Sequence, residues 1–374
     1  MKTRVTQSDV AKAAGVHNAT VSLSLRNSRL IPEKTRERIQ AIARSMGYSP
    51  DPALRALVAY RNSRRVREQR ETLAYVTHWD TKWGWKNLPA HERHFLGAQR
   101  QATELGYQLE HLWLGESGAN RRRLDRVLTH SNLRGVLLAS HLTACDELAT
   151  LDWSRLSAVK IGSFPPSLPL NQVTVDPLGV MRLALRQALA KGYHRIGLVV
   201  PRRVDELADQ AWTVAFHAEL HRCAGLAKLP VLLTADPLEN PGLAQPHALA
   251  DNQALTQWRR EHRPEVILGA TPGVLPFLRH CGLHVPRDVA YIDLGCEDTG
   301  YVVAGVWENC EKIGALAVGM LVNQLEQNVF GLPDMPTTTS VGGLWRDGAS
   351  LPAKTPEDSD DLEAAGRLDQ NLVA

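Results

Sequence analysis

Apolar positions in the first fifty residues recur every three or four places, whereas from Leu73 onward they bunch into runs of about five. The first pattern belongs to amphipathic helices and the second to strands buried on both faces. Val10, Ala13 and Ala14 share one predicted helical face, Val21 and Leu25 a second, and Ile39, Ile42 and Met46 a third. Thr6 with Asp9 predicts the start of the first helix: a hydroxyl accepts an orphan amide, and an acid sits at the positive end of the dipole. Gly15 supplies a tight turn into the second helix, with Val16 packing down behind it. Pro32 and Glu33 suit the first turn of a third helix, Gly47 ends it, and Tyr48 is placed against the bundle. A short fourth helix is expected over 53–60, behind Pro50-Asp51-Pro52. So short a helix does not hold its shape alone, so it must fold against something else.

The rest of the chain alternates. Strands are expected at 73–77, 107–114, 135–139 and 158–162, with helices at 91–105, 120–129 and 178–190. A second set has strands at 195–200, 229–233, 266–269 and 290–294, with helices at 206–223, 249–262, 273–281 and 313–329. Such alternation predicts doubly wound parallel sheets, and two sets predict two lobes. Ligands of open α/β sheets bind outside the carboxyl ends of the strands. That rule points to the loops after Thr77, Ala139, Gly162, Val200, Ala270 and Leu294. The first of them reads His78-Trp79-Asp80-Thr81-Lys82-Trp83-Gly84-Trp85. Its aromatic faces suit stacking on sugar rings, or else they plug a core or a contact between subunits.

The second head helix presents His17, Asn18, Ala19, Ser22 and Arg26 opposite its apolar stripe, short or polar groups able to reach base edges. Together with Asp9-Val10-Ala11, Ala14-Gly15-Val16, Thr20-Val21-Ser22, Lys34-Thr35-Arg36-Glu37-Arg38-Ile39 and Gly47-Tyr48-Ser49-Pro50, this resembles the lactose-repressor (LacI) family of bacterial transcription regulators. The resemblance runs from Thr6 to about Ser350. It implies an all-α helix-turn-helix head with a hinge helix, then an α/β core of the two-lobed type I periplasmic-binding-protein kind. Gly192-Tyr193-His194-Arg195-Ile196-Gly197 and Gly282-Leu283-His284-Val285-Pro286 are further family markers.

Carried over position by position, the resemblance implies a DNA-contacting set of Thr6, Gln7, His17, Asn18, Ala19, Thr20, Ser22, Leu23, Arg26, Tyr48, Ala53 and Leu57. Leu57 is its minor-groove wedge, an apolar side chain that unstacks a base step. His17, Leu23 and Arg26 depart from the family's usual residues, so the half-site is expected to differ from the commonest operators. The expected effector set joins the family matches Asp176, Trp212, Trp307 and Glu308 with Trp79, Thr81 and Trp83 of the first loop, Arg202 and Gly295. Ala208 stands where sugar-binding members carry an arginine. Ala270-Thr271-Pro272 and Asp293-Leu294-Gly295-Cys296 likewise replace family ligand motifs.

The implied domains are a head over 1–50, a hinge helix and basic linker over 51–71, a core over 72–351 and a solvated tail over 352–374. Within the core the first lobe is expected at 72–191 and 308–330 and the second at 192–307 and 331–351, with crossings near Gly192, Glu308 and Phe330.

Composition narrows this further. A net charge of +3 over 374 residues excludes a uniformly basic nucleic-acid binder. The basic residues gather in the head and in the run Arg61, Arg64, Arg65, Arg67 and Arg70, so electrostatic contact with phosphates is local and salt-dependent. No apolar run is long enough to cross a membrane, and no apolar leader is apparent, which predicts a cytoplasmic protein. Five scattered cysteines (Cys145, Cys223, Cys281, Cys296 and Cys310) predict reduced thiols. His91-Glu92-Arg93-His94 lacks a third ligand, so no metal and no cofactor are expected. The expected partners are an inverted-repeat DNA operator, a small-molecule effector, most simply a sugar or sugar derivative, and a second copy of the chain. The function expected is an effector-controlled repressor. A transport solute-binding protein is the alternative, and no nucleophile-base pair or phosphate loop supports an enzyme.

Overall fold

The computed structural model describes residues 5–28, 30–48, 71–79, 81–114, 133–139, 148, 151–162, 168–223, 225–234, 252–271, 273–295 and 302–354. The expected hinge helix with Ala53 and Leu57, the basic linker, helix 120–129, Cys145, Cys296 and most of the tail lie outside the described residues.

Three helices form the head: α1 (Gln7–Ala14), α2 (Asn18–Leu25) and α3 (Glu33–Ser45). The Thr6 hydroxyl accepts from the Asp9 amide at 3.3 Å, and the Asp9 carboxylate accepts from the Thr6 amide at 2.9 Å. This reciprocal box satisfies two orphan donors. Gly15 closes α1 at φ 65°, where a Cβ would be strained. Val10, Ala11, Ala14, Val21, Ile39 and Ala43 form the head core, with Val16, Leu25, Ile42, Met46 and Tyr48 packed around it. Ala13 is exposed and Ala11 takes its expected place. At 100° per residue, Val10, Ala11 and Ala14 centre one stripe, and Ala13 lies roughly 100° away from it.

Two six-stranded sheets follow. The first has the order β2 (Gln108–Trp113), β1 (Thr72–Thr77), β3 (Gly135–Leu138), β4 (Ser157–Ile161), β5 (Asn171–Val175) and β11 (Thr338–Val341), all parallel. The second repeats the pattern with β7 (Leu232–Thr234), β6 (Ile196–Pro201), β8 (Val266–Gly269), β9 (Ala290–Asp293) and β10 (Gly305–Trp307), closed by an antiparallel β12 (Leu344–Arg346). The chain direction across each sheet reverses at its first strand, β1 or β6. Helices α4 (Pro89–Glu104), α5 (Pro177–Ala190), α6 (Arg202–Leu207), α7 (Ala211–Arg222), α8 (Asn252–His262), α9 (Val274–His280) and α10 (Cys310–Glu326) complete the described core.

Backbone pairing and packing place the crossings between sheets differently from the expected boundaries. Helix α5 packs on α7, β10 and β12, and Arg182 on α5 donates to Glu219 on α7 at 2.8 Å and 3.1 Å. The first crossing therefore lies at Asp176, not near Gly192. Strand β11 pairs with β5, so the third lies at Gly342 and Gly343, not near Phe330. The second is at Glu308, between β10 and α10. The expected single helix 206–223 is two helices, because Asp209 and Gln210 both adopt positive φ. The second lobe's expected strand at 229–233 is only Leu232–Thr234.

Helices α4 and α10 cross in backbone contact. A Cβ on Gly97 would lie 2.0 Å from the Glu311 carbonyl oxygen, and one on Gly314 would lie 2.0 Å from that of His94. Arg100 and Glu311 pair at 2.9 Å on the rim of this crossing.

Candidate functional site

The exposed face of α2 is built by its start. His17 is the N-cap, and its Nδ1 accepts from the Ala19 amide at 3.3 Å. His17, Asn18 and Ala19 are exposed, while Thr20, Ser22 and Leu23 are partly covered. Arg26 donates from Nη2 to the Ser22 hydroxyl at 2.8 Å, so the two side chains form one polar ridge along α2. Val21 and Ser24 face inward and lock the helix to the head core. Helix α3 fixes its inclination: Gln40 Nε2 donates to the Ser24 carbonyl at 2.9 Å, and Arg38 Nη1 donates to that of Ala14 at 3.1 Å. Neither brace was legible in the sequence. Gln7 is partly exposed beside the cap, and Tyr48 leans on the head core.

The second candidate region lies where the two sheets meet. Val175 at the end of β5 leads through Asp176 into α5 of the other lobe, and Trp307 at the end of β10 leads through Glu308 back to α10. The carboxyl ends of both sheets therefore face the same junction, as open α/β sheets require of a ligand crevice. Asp176 caps α5, with Oδ1 accepting from the Gly179 amide at 3.0 Å, and its own amide donates to the Val341 carbonyl at 3.0 Å. A Cβ on Gly343 would meet Val306, Val180 and Trp307, so the three crossing segments are in mutual contact.

Of the expected effector residues, the structure gathers Asp176, Gly295, Trp307 and Glu308 at this junction. The carboxylate of Glu308 lies just under 4 Å from where a Cβ on Gly295 would stand. Arg346, absent from the expected set, lies over the Trp307 ring at 4.8 Å. Strand β12 brings it there by pairing with β10, a strand that sequence reasoning missed.

The tryptophans divide. Trp85 is 1% exposed and Trp79 8%, whereas Trp83 is 50% exposed. Trp85 packs against Tyr75 and Phe95, and Trp79 meets His91 edge-on. Thr81 is exposed beside this loop and Arg202 is exposed at the end of β6. Trp212 is 5% exposed, and its ring belongs to the main hydrophobic core. Asp205 holds the turn before it. This buried carboxylate accepts from the amides of Trp212 and Thr213 at 3.2 Å and from the Thr213 hydroxyl. Among the described residues no His, Cys, Asp and Glu group could hold a metal ion, and no helix is long and apolar enough to cross a membrane.

The model for bacterial regulatory proteins of the lacI family matches residues 6–51, which are the three helices of the head. The HTH-type transcriptional regulator CelR of Thermobifida fusca is 27% identical over 298 residues, spanning 77% of this chain and 81% of CelR. The head is thus similar to that of the lacI family. The chain's fold is that of solved regulators. A transcriptional regulator CelR–cellobiose complex superposes with a TM-score of 0.59 at 21% identity, covering 93% of this chain and 100% of that one. The lac repressor dimer bound to operator and the anti-inducer ONPF gives 0.56 at 18% identity, covering 94% and 100%. Head and twin sheets are thus the fold of these solved regulators.

Proposed function

We propose that this protein is a lacI-family transcription regulator that binds a specific DNA operator and is controlled by a small molecule held between its two lobes. The observation that carries the reading is a family-matched head whose second helix leaves His17, Asn18, Ala19 and Arg26 exposed on one side and is pinned by α1 and α3 on the other. Such a helix enters the major groove, where Asn18 suits bidentate contact with adenine and Ala19 or Leu23 suits a thymine methyl. Two copies of the chain would read an inverted repeat, with Ala53 and Leu57 of the paired hinge segment in the minor groove. The protein would act in the cytoplasm, as a repressor rather than an enzyme.

The effector is a sugar or sugar derivative on this reading, since CelR is described with cellobiose. It would contact Asp176, Gly295, Trp307, Glu308, Thr81, Trp83 and Arg202. Closure of the lobes on it shifts operator affinity only as far as the effector binds the two states unequally. Selection of bound sequences from random duplex DNA tests the function. It should return one two-fold symmetric sequence, and Asn18→Ala should relax preference at one base pair per half-site. Failure of the full-length protein to enrich any sequence would overturn the reading.

A further inference from the structure

The loop after β1 gathers aromatic and basic side chains around one half-exposed indole. It leaves the first sheet at β1, the strand where chain direction across the sheet reverses, which is where such sheets hold ligands. Trp83 stands half in solvent on this loop. Lys82 Nζ lies 5.3 Å and Lys86 Nζ 4.9 Å from its ring centroid, and the His111 ring lies 4.8 Å away. Among the described residues neither ammonium forms an ion pair with a carboxylate. Beneath this surface Trp85 Nε1 and His111 Nδ1 are buried without a hydrogen-bond partner, as is the hydroxyl of neighbouring Tyr75. Buried polar atoms are paired in nearly all proteins, so several orphans side by side mark a place built for a polar occupant. His111 Nε2 is already engaged with the Thr77 hydroxyl at 2.7 Å, which leaves Nδ1 as its one open atom. Burial, helped by Lys82 and Lys86, pushes the His111 imidazole down to about 4, so at neutral pH the ring is an uncharged hydrogen-bonding group.

We propose that Trp83, Lys82, Lys86, His111 and Trp85 form an acidic-sugar subsite, which takes a monosaccharide carrying a carboxylate or a phosphate. The inference rests on the effector-controlled reading above and names the chemical class of that effector. An indole face accepts the apolar face of a sugar ring. Two ammonium groups without a carboxylate partner among the described residues stand beside it and favour an anion on that ring. The indole N–H and the imidazole nitrogen answer its hydroxyls. A neutral sugar would leave both lysines unused, and a bare anion would leave Trp83 unused.

Calorimetric titration of the full-length protein tests this. The panel is glucuronate, galacturonate, glucose 6-phosphate, galactose 6-phosphate and mannose 6-phosphate, each compared with its neutral parent hexose at equal ionic strength. At least one acidic member should bind tenfold or more tightly than its parent, the uronate and phosphate arms deciding between carboxylate and phosphate. The double variant Lys82→Met with Lys86→Met should lose that advantage, the Lys→Arg pair should keep it, and Trp83→Ala should weaken binding of acid and parent alike. Equal or tighter binding of the neutral hexoses, no binding by any member, or an advantage that survives the double Met variant would overturn the proposal. The same ligand is then added to the protein on its selected DNA. Lysine-dependent binding that leaves DNA affinity unchanged would uphold the subsite and overturn effector control instead.

Discussion

Asp205 shows how one buried side chain can stand in for a helix cap. Gln210, the N-cap of α7, makes no side-chain hydrogen bond, and Asp205 reaches across the turn to take two amides of the first turn of α7. Asp205→Ala should destabilise the protein by about 1–3 kcal/mol, the cost of leaving buried donors unmade. The urea midpoint is the measurement, and a shift no larger than that of Glu206→Ala on the exposed side of α6 would refute the capping role. Nothing in the string Arg202-Arg203-Val204-Asp205-Glu206 marks Asp205 as the inward residue, since that depends on the positive φ of Asp209 and Gln210. Thr6 and Asp9 were readable because their box is local, its two residues three positions apart. Trp79, Trp83 and Trp85 were readable as a group but not singly. Which ring is buried depends on Phe95 and His111, brought in by α4 and β2.

The crossing of α4 over α10 rests on two glycines of opposite partners. Gly314→Ala should cost about 1–3 kcal/mol or more, because the new methyl meets backbone of α4 that cannot rotate aside. Gly319→Ala on the same helix has nothing within 4 Å and should instead stabilise by roughly 0.5–1 kcal/mol through helix propensity. Opposite signs of the two melting shifts are the expected result. Most helices and the buried strands β1, β3, β4, β6, β8 and β9 were legible, since their apolar runs are continuous or their caps local. Strand β5 was not, because Asn171, Gln172 and Thr174 dilute Val173 and Val175. Strands β11 and β12 were hidden for a related reason: Thr338, Thr339 and Ser340 lie at a sheet edge and carry little apolar signal. Missing β11 is what displaced the last crossing in the sequence reading.

Three histidines held neutral belong to the first lobe, which sets how the protein responds to acid. Burial pushes His94 down to about 3, with His91 adding, and burial pushes His91 and His111 each to about 4. The unfolded chain binds these protons near 6.5, so stability is full above that value. It falls as pH drops from 6.5 towards 4, and the loss levels off below about 3. His94 is 7% exposed and carries the firmest share, with a slope approaching about 1.4 kcal/mol per pH unit. Melting temperature should therefore decline between pH 6.5 and 4, less steeply in His94→Gln; a flat profile in the unaltered protein would contradict it. The threefold crossing has a consequence for synthesis as well. The first sheet is finished only when residues 338–341 arrive beside β5, 166 positions later in the chain, and α10 too must come back from the far side to cover it. A growing chain on the ribosome thus holds the early strands with an open edge and a bare face until α10 and β11 emerge. Neither half can mature ahead of the other, and premature termination anywhere before Val341 leaves both incomplete.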